Sequence, residues 1–190
     1  MRRNRIVDLS SGNVTTIKAE DGALGHHDMG HGYAVGADTF NSLENATILL
    51  KFPVASTKRP IGPVVHYNKR WDFVAANHVA HGNAAALAPE SQYACGSNAS
   101  RVADMADEII CFPLDAYRNA DGSLDVLVVG QVMTDLDAPG GQDLDGDDYE
   151  QLPKGDLDVT GRYFIWTTNL GGDRLDAFLV KIPAERLMGR

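Results

Sequence analysis

The most constraining feature of this chain is the length of its apolar runs. They are short, about 5–9 residues, and each is closed by Gly, Asn, Asp or Pro. Examples are Arg5–Leu9, Ala46–Phe52, Glu108–Leu114, Leu124–Val132, Tyr163–Thr168 and Ala177–Ile182. Val, Ile, Leu, Phe and Tyr fill them, the composition of strands. Sustained 3.6-residue periodicity is absent except over Ala99–Ala106 and Ala184–Met188, each long enough for a turn or two of helix. The chain therefore reads as all-β. With 190 residues, 44% of them hydrophobic and 23% charged, it has the means to bury a core. The net charge of -9 and the lack of a basic patch argue against nucleic acid as a partner. No apolar run reaches 18 residues, so no membrane-spanning helix is expected. MRRNRIVDLSSG has basic residues but no apolar core, so it is not a signal peptide.

Three stretches share an order of features: Gly25–Ala55, Asn77–Ala116 and Pro153–Glu185. Each opens on a polar, His- or Asp-bearing segment and continues into a strand with a tyrosine near its start (Tyr33, Tyr93, Tyr163). A polar turn follows, with Asp38, Asn98 or Asn169, and then a second apolar strand that ends at or beside a proline. The tyrosines are 60 and 70 residues apart, more than a minimal four-stranded unit of ~40–50 residues needs, so insertions separate the shared parts. Four-stranded antiparallel units in series predict β-propeller blades. The units fall at residues 1–20 (partial), 25–68, 72–132 and 153–185 (partial) of a single domain over 1–190. About three to four blades make an incomplete ring, because closed rings have 4–8. Such a ring leaves open edges and an uncovered face. It implies the C-terminal part of a longer propeller, with Met1 an internal or mis-called start, or pairing with another copy.

The third stretch, GDLDVTGRYFIWTTNLGGDRLDAFLVKIP, resembles the propeller repeat of TolB-like proteins. Thr160-Gly161-Arg162-Tyr163 stands where that repeat has D-G-K-Y. Thr168-Asn169-Leu170-Gly171-Gly172 stands at S-N-R-G-G, and Asp176–Val180 at the outer strand. Leu157-Asp158 replaces the usual Trp-Ser, and Val159-Thr160 replaces Pro-Asp. A weaker match runs through Ala88–Tyr93 and Gly96-Ser97-Asn98, and RIVDLSSGNVTTI looks like the end of a preceding blade. The resemblance covers about half the chain and speaks to architecture more than to function. It implies export of the full-length parent to the periplasm or the exterior.

Two clusters could carry metal chemistry. All six histidines lie between residues 26 and 81: His26, His27, His31, His66, His78 and His81. His27-Asp28 opens the first stretch and His78/His81 the second. On inner strands of neighbouring blades, His27, His78 and His81 with Asp28 would suit manganese, iron or zinc. Oligogalacturonate lyases, which are propellers with axial histidines around a divalent metal, resemble this arrangement. The competing reading is histidines bonded to strand-end carbonyls. The other cluster, Asp135–Asp158, holds nine carboxylates against one lysine. Asp143, Asp145 and Asp147 alternate as in a calcium loop, but Asp148 and Lys154 occupy the positions that should be Gly and Glu. This segment is expected to be a solvated surface loop, with a calcium site as the alternative.

Nucleophilic catalysis finds no G-x-S-x-G elbow. Cys95 and Cys111 fall on successive strands of one expected hairpin, close together whether bonded or not. The leading expectation is a non-catalytic binding or scaffold module whose ligand is a protein or a glycan. The alternative is a metal-dependent polysaccharide lyase or hydrolase.

Overall fold

The computed structural model describes residues 3–18, 24–37, 46–54, 64–66, 80–81, 88, 91–97, 99, 107–115, 126–138 and 151–188, with backbone alone at 64–66 and 80–81. It is all-β, in four small antiparallel sheets. The first sheet pairs β1 (Arg3–Val7) with β2 (Val14–Lys18). The second is a meander of β3 (Gly25–Gly30), β4 (Tyr33–Ala37), β5 (Thr47–Lys51) and β6 (Val64–His66). The third repeats that order with β7 (Ala80–His81), β8 (Tyr93–Gly96), β9 (Glu108–Pro113) and β10 (Leu127–Gln131). The fourth has β11 (Asp156–Leu157), β12 (Tyr163–Thr168) and β13 (Asp176–Lys181), and a single helical turn, α1 (Glu185–Met188), follows. Of the two short helices expected, Ala184–Met188 is present as α1, and Ala99–Ala106 lies almost wholly outside the described residues.

The sheets stack face to face in chain order, because alternate residues of a strand point to opposite faces. In β4, Ala34 faces back into a cluster with Ile17, Leu24, Ile48 and Leu50. Tyr33 and Val35 face forward, with Leu49, onto Ala94, Ile110 and Phe112 of the third sheet. The same parity recurs one sheet on. Tyr93, Cys95, Ile109 and Cys111 face forward onto Leu157, Phe164 and Trp166. Sheets covered on both faces need apolar residues at every position, and the four residues Thr47–Leu50 and five residues Ile109–Pro113 are buried without a break. β12 is covered on one face, so Phe164 and Trp166 are buried while Tyr163 and Ile165 are exposed.

Tyr33, Tyr93 and Tyr163 each begin the second strand of their sheet, opposite Lys51, Pro113 and Lys181 of the third strand. The Tyr93 hydroxyl donates to the carbonyl of Gly161 in the turn between β11 and β12, tying the third sheet to the fourth. Asp158 builds that turn. Its carboxylate accepts from the amides of Arg162 (2.7 Å) and Tyr163 (2.8 Å), and Gly161 takes a positive φ of 69°. Partial burial would raise the Asp158 carboxyl, but hydrogen bonds from Thr160, Tyr163 and Arg162 outweigh it and hold the group below its ordinary value. Asn169 makes the second junction: its Oδ1 accepts from the amide of Asp135 (2.9 Å) and its Nδ2 donates to the carbonyl of Asp135 (2.7 Å).

These contacts correct the expectation of one surface loop over Asp135–Asp158. Its described ends are packed: Leu136, Ala138, Gln151 and Leu152 are buried, and Asp156–Leu157 forms β11. The apolar residues interspersed among the acids anchor the segment, while Asp135, Asp137 and Asp156 keep their carboxylates at the surface. Asp143, Asp145 and Asp147 lie outside the described residues.

Cys95 and Cys111 stand directly opposite on β8 and β9, with Cα atoms 4.0 Å apart, and are joined by a disulfide at the centre of the third sheet. The closed loop spans a sequence separation of 16. Replacing both cysteines by alanine should lower the unfolding free energy by about 3 kcal/mol, the loop-closure contribution for a loop of this size, as read from urea denaturation.

Burial, with nearby Asp158 adding and Arg162 opposing, pushes the Tyr93 hydroxyl up to about 12. Burial and Asp28 push Tyr33 to about 12 as well. The folded chain thus keeps two protons that an unfolded chain releases near the ordinary value of 10.0. Their stabilisation is complete below that value and is lost as pH climbs toward 12. Thermal stability should therefore fall over this alkaline window. Tyr93→Phe should make the fall shallower while costing about 1 kcal/mol at neutral pH through the lost bond to Gly161.

Candidate functional site

The functional candidate is a cleft between the first sheet and the second, with a volume of about 920 Å³. One wall is β1: all five residues from Arg3 to Val7 line it. A strand presents both its odd and its even side chains to a cavity when its edge, and not one face, forms the wall. Among the described residues β1 pairs with β2 alone, so this edge carries backbone N–H and C=O groups that no neighbouring strand takes.

The floor is apolar. Met29, Ala34 and Leu50 form one cross-strand row over β3, β4 and β5, and Phe52 extends it. His27 stands in the next row, opposite Gly36. A Cβ added at Gly36 would lie 2.6 Å from the Cβ of His27, so glycine there allows the histidine to lie across the sheet. The wall is fixed to the floor by one side chain. Asn4 Nδ2 donates to the carbonyl of Leu24 (3.1 Å), and the Leu24 amide donates to Asn4 Oδ1 (2.5 Å), just before β3 begins.

The charges in the cleft run against those of the chain. Arg3 and Arg5 lie two residues apart, on the same face of β1, and both are exposed. The carboxylate among the lining residues is Asp8, and its own turn occupies it. The Ser10 hydroxyl (2.6 Å) and amide (2.8 Å) and the Ser11 amide (3.3 Å) donate to its Oδ1. The Ser10 side chain, then the Ser10 amide and Ser11, hold this carboxyl down to about 2. Asp8 stays ionised, so the described lining sets Arg3 and Arg5 against one carboxylate, a small positive excess on a chain of net charge -9.

No family model, no curated protein and no solved structure matches this chain.

The residues singled out in the sequence fall differently with respect to the cleft. His27 is exposed and lines it. Asp28, its neighbour on β3, points to the opposite face, where its Oδ1 accepts from the Met29 amide (2.8 Å) and its charge acts on Tyr33. Strand alternation therefore keeps His27 and Asp28 from sharing one ion. His81 ends β7, paired with Ala94, and His78 lies outside the described residues. Among the described residues no group of three His, Cys, Asp or Glu side chains is placed to hold a metal ion. The cleft itself escaped sequence reasoning. Its one sequence signal is RNR followed by an apolar pair at Arg3–Val7, and only the packing of β1 beside β3 makes a site of it.

Asn4→Ala removes both bonds to Leu24 and leaves a partly buried amide and carbonyl without partners. It should cost about 1–3 kcal/mol in denaturant unfolding. Hydrogen exchange should quicken over β1 while that of β8 and β9 stays unchanged, because the clamp touches only the first two sheets.

Proposed function

We propose that the chain is a non-catalytic binding module of β-propeller type, TolB-like in its repeats, and that the cleft takes an extended segment of a protein. Two meanders of four strands in chain order, each forward face packed on the sheet that follows, support the propeller reading. The turn at Asp158–Gly161 and the junction at Asn169 support the TolB-like repeat, since they fall on the residues that carry the resemblance. The disulfide suits an oxidising compartment, the periplasm or the exterior.

The observation that carries the ligand is the open edge of β1 above an apolar floor. An added strand gains main-chain hydrogen bonds along β1 and sets alternate side chains on Met29, Phe52 and Val54, the accessible apolar lining. Its outward side chains lie beside Arg3 and Arg5, whose two-residue spacing matches the spacing of like-facing residues on an extended ligand. The preferred ligand alternates acidic and apolar residues.

A synthetic peptide alternating Glu with Val should bind, and one alternating Lys with Val should not. Arg3→Glu with Arg5→Glu should weaken the first by tenfold or more, about 1.4 kcal/mol, and rising salt should weaken it too. Titration calorimetry reads both. Binding of an oligouronide, with neither peptide bound, would replace the protein ligand by a glycan.

A further inference from the structure

The outer face of the fourth sheet has the register of an interface and no sheet upon it among the described residues. Tyr163 and Ile165 of β12 share this face with Lys181 and Leu179 of β13, and Asp156 joins them from β11 opposite Ile165. Tyr163, Ile165 and Leu179 are 40%, 46% and 64% exposed. One and two sheets earlier, the tyrosines at the same register position are covered by the following sheet, Tyr93 to 6% and Tyr33 to 1% exposure. Side chains that are apolar, aligned and open in this way continue an interface that the chain already makes twice.

We propose that a second copy of the chain covers this face, the same face of each copy packing on the other about a two-fold axis. Internal precedent makes the occupant a sheet. Among the described residues, a second copy offers two exposed sheet faces. The outer face of β1–β2 carries Arg3, Arg5 and Lys18 beside Val7 and Val14, and packing it here would bury three cations against the carboxylate of Asp156. The β11–β13 face instead sets three strands on three and apolar residues on apolar residues, in the aligned manner of a β-sandwich. Its two charges then complement each other. Asp156 flanks β12 on one side and Lys181 on the other. A two-fold axis along β12 carries Asp156 of one copy over β13 of the other, beside its Lys181. Because one patch serves both copies, the assembly closes at two and leaves no end to grow from. The inference stands on the register of the fourth sheet and does not depend on the cleft or its ligand.

Light scattering on the full chain at up to about 0.1 mM, a range that detects even weak specific interfaces, should give twice the 20.5 kDa monomer mass. Ile165→Glu with Leu179→Glu should give monomer with an unchanged far-ultraviolet spectrum, both side chains being exposed. Asp156→Lys and Lys181→Asp should each weaken self-association by about tenfold or more. Mixing these two variants should restore it as a heterodimer, since each then supplies the charge that the other lacks. A monomeric wild-type chain overturns the proposal. So does a mixture that fails to associate, a dimer broken by Arg5→Glu but not by the Ile165/Leu179 pair, or growth beyond two copies.

Discussion

The structure depends on one constraint: a small sheet with apolar residues on both faces is stable only between two others. No described sheet has more than four strands, and every described strand has six residues or fewer. Alone, such a unit exposes too much apolar surface to fold. Stacking resolves this, since each interface removes two faces from water at roughly 25 cal/mol per Å². The clusters around Phe112, between the second and third sheets, and around Phe164, between the third and fourth, are those interfaces. Hydrogen bonds that cross between sheets, from Tyr93 to Gly161 and between Asn169 and Asp135, tie the third sheet to the fourth.

The same constraint explains where open surface remains. A stack has two ends, and the last covered face is complete only where the covering sheet is as wide as the one beneath. The two-stranded first sheet is narrower than the four-stranded second. Of the Met29–Ala34–Leu50 row, Ala34 and Leu50 are therefore buried beneath the first sheet with Ile17 and Ile6, while Met29 at its β3 end is half exposed beside the edge of β1. At the other end, the alternation of β12 buries Phe164 and Trp166 and leaves Tyr163 and Ile165 outward. The cleft and the outer face are two results of one mismatch between strand number and strand position.

Charge follows the same division. Among the described carboxylates, Asp8 and Asp158 serve as acceptors that shape tight turns. The arginines of β1 stand apart on a strand, exposed beside the apolar lining of the cleft.

The sequence by itself determined strand content and local pairing. Short apolar runs with polar punctuation read as β, and the shared order of features placed Tyr33, Tyr93 and Tyr163 at the head of second strands. Spacing also brought Cys95 and Cys111 onto neighbouring strands, though only register decided that they are directly opposed and bonded. Periodicity of two residues fixes which side chains share a face, but it does not say which face meets a neighbour. Tyr93 and Tyr163 occupy the same register position, yet one is buried and the other half open. Histidines and carboxylates drew attention as chemistry, but the two-residue alternation of β3 already sets the neighbours His27 and Asp28 on opposite faces. Tertiary structure made the wall of a cleft from Arg3–Val7, a segment whose pattern resembles that of any edge strand. Burial and cavity shape depend on which sheet lies against which, and that relation joins residues far apart in the chain, beyond the reach of any local pattern.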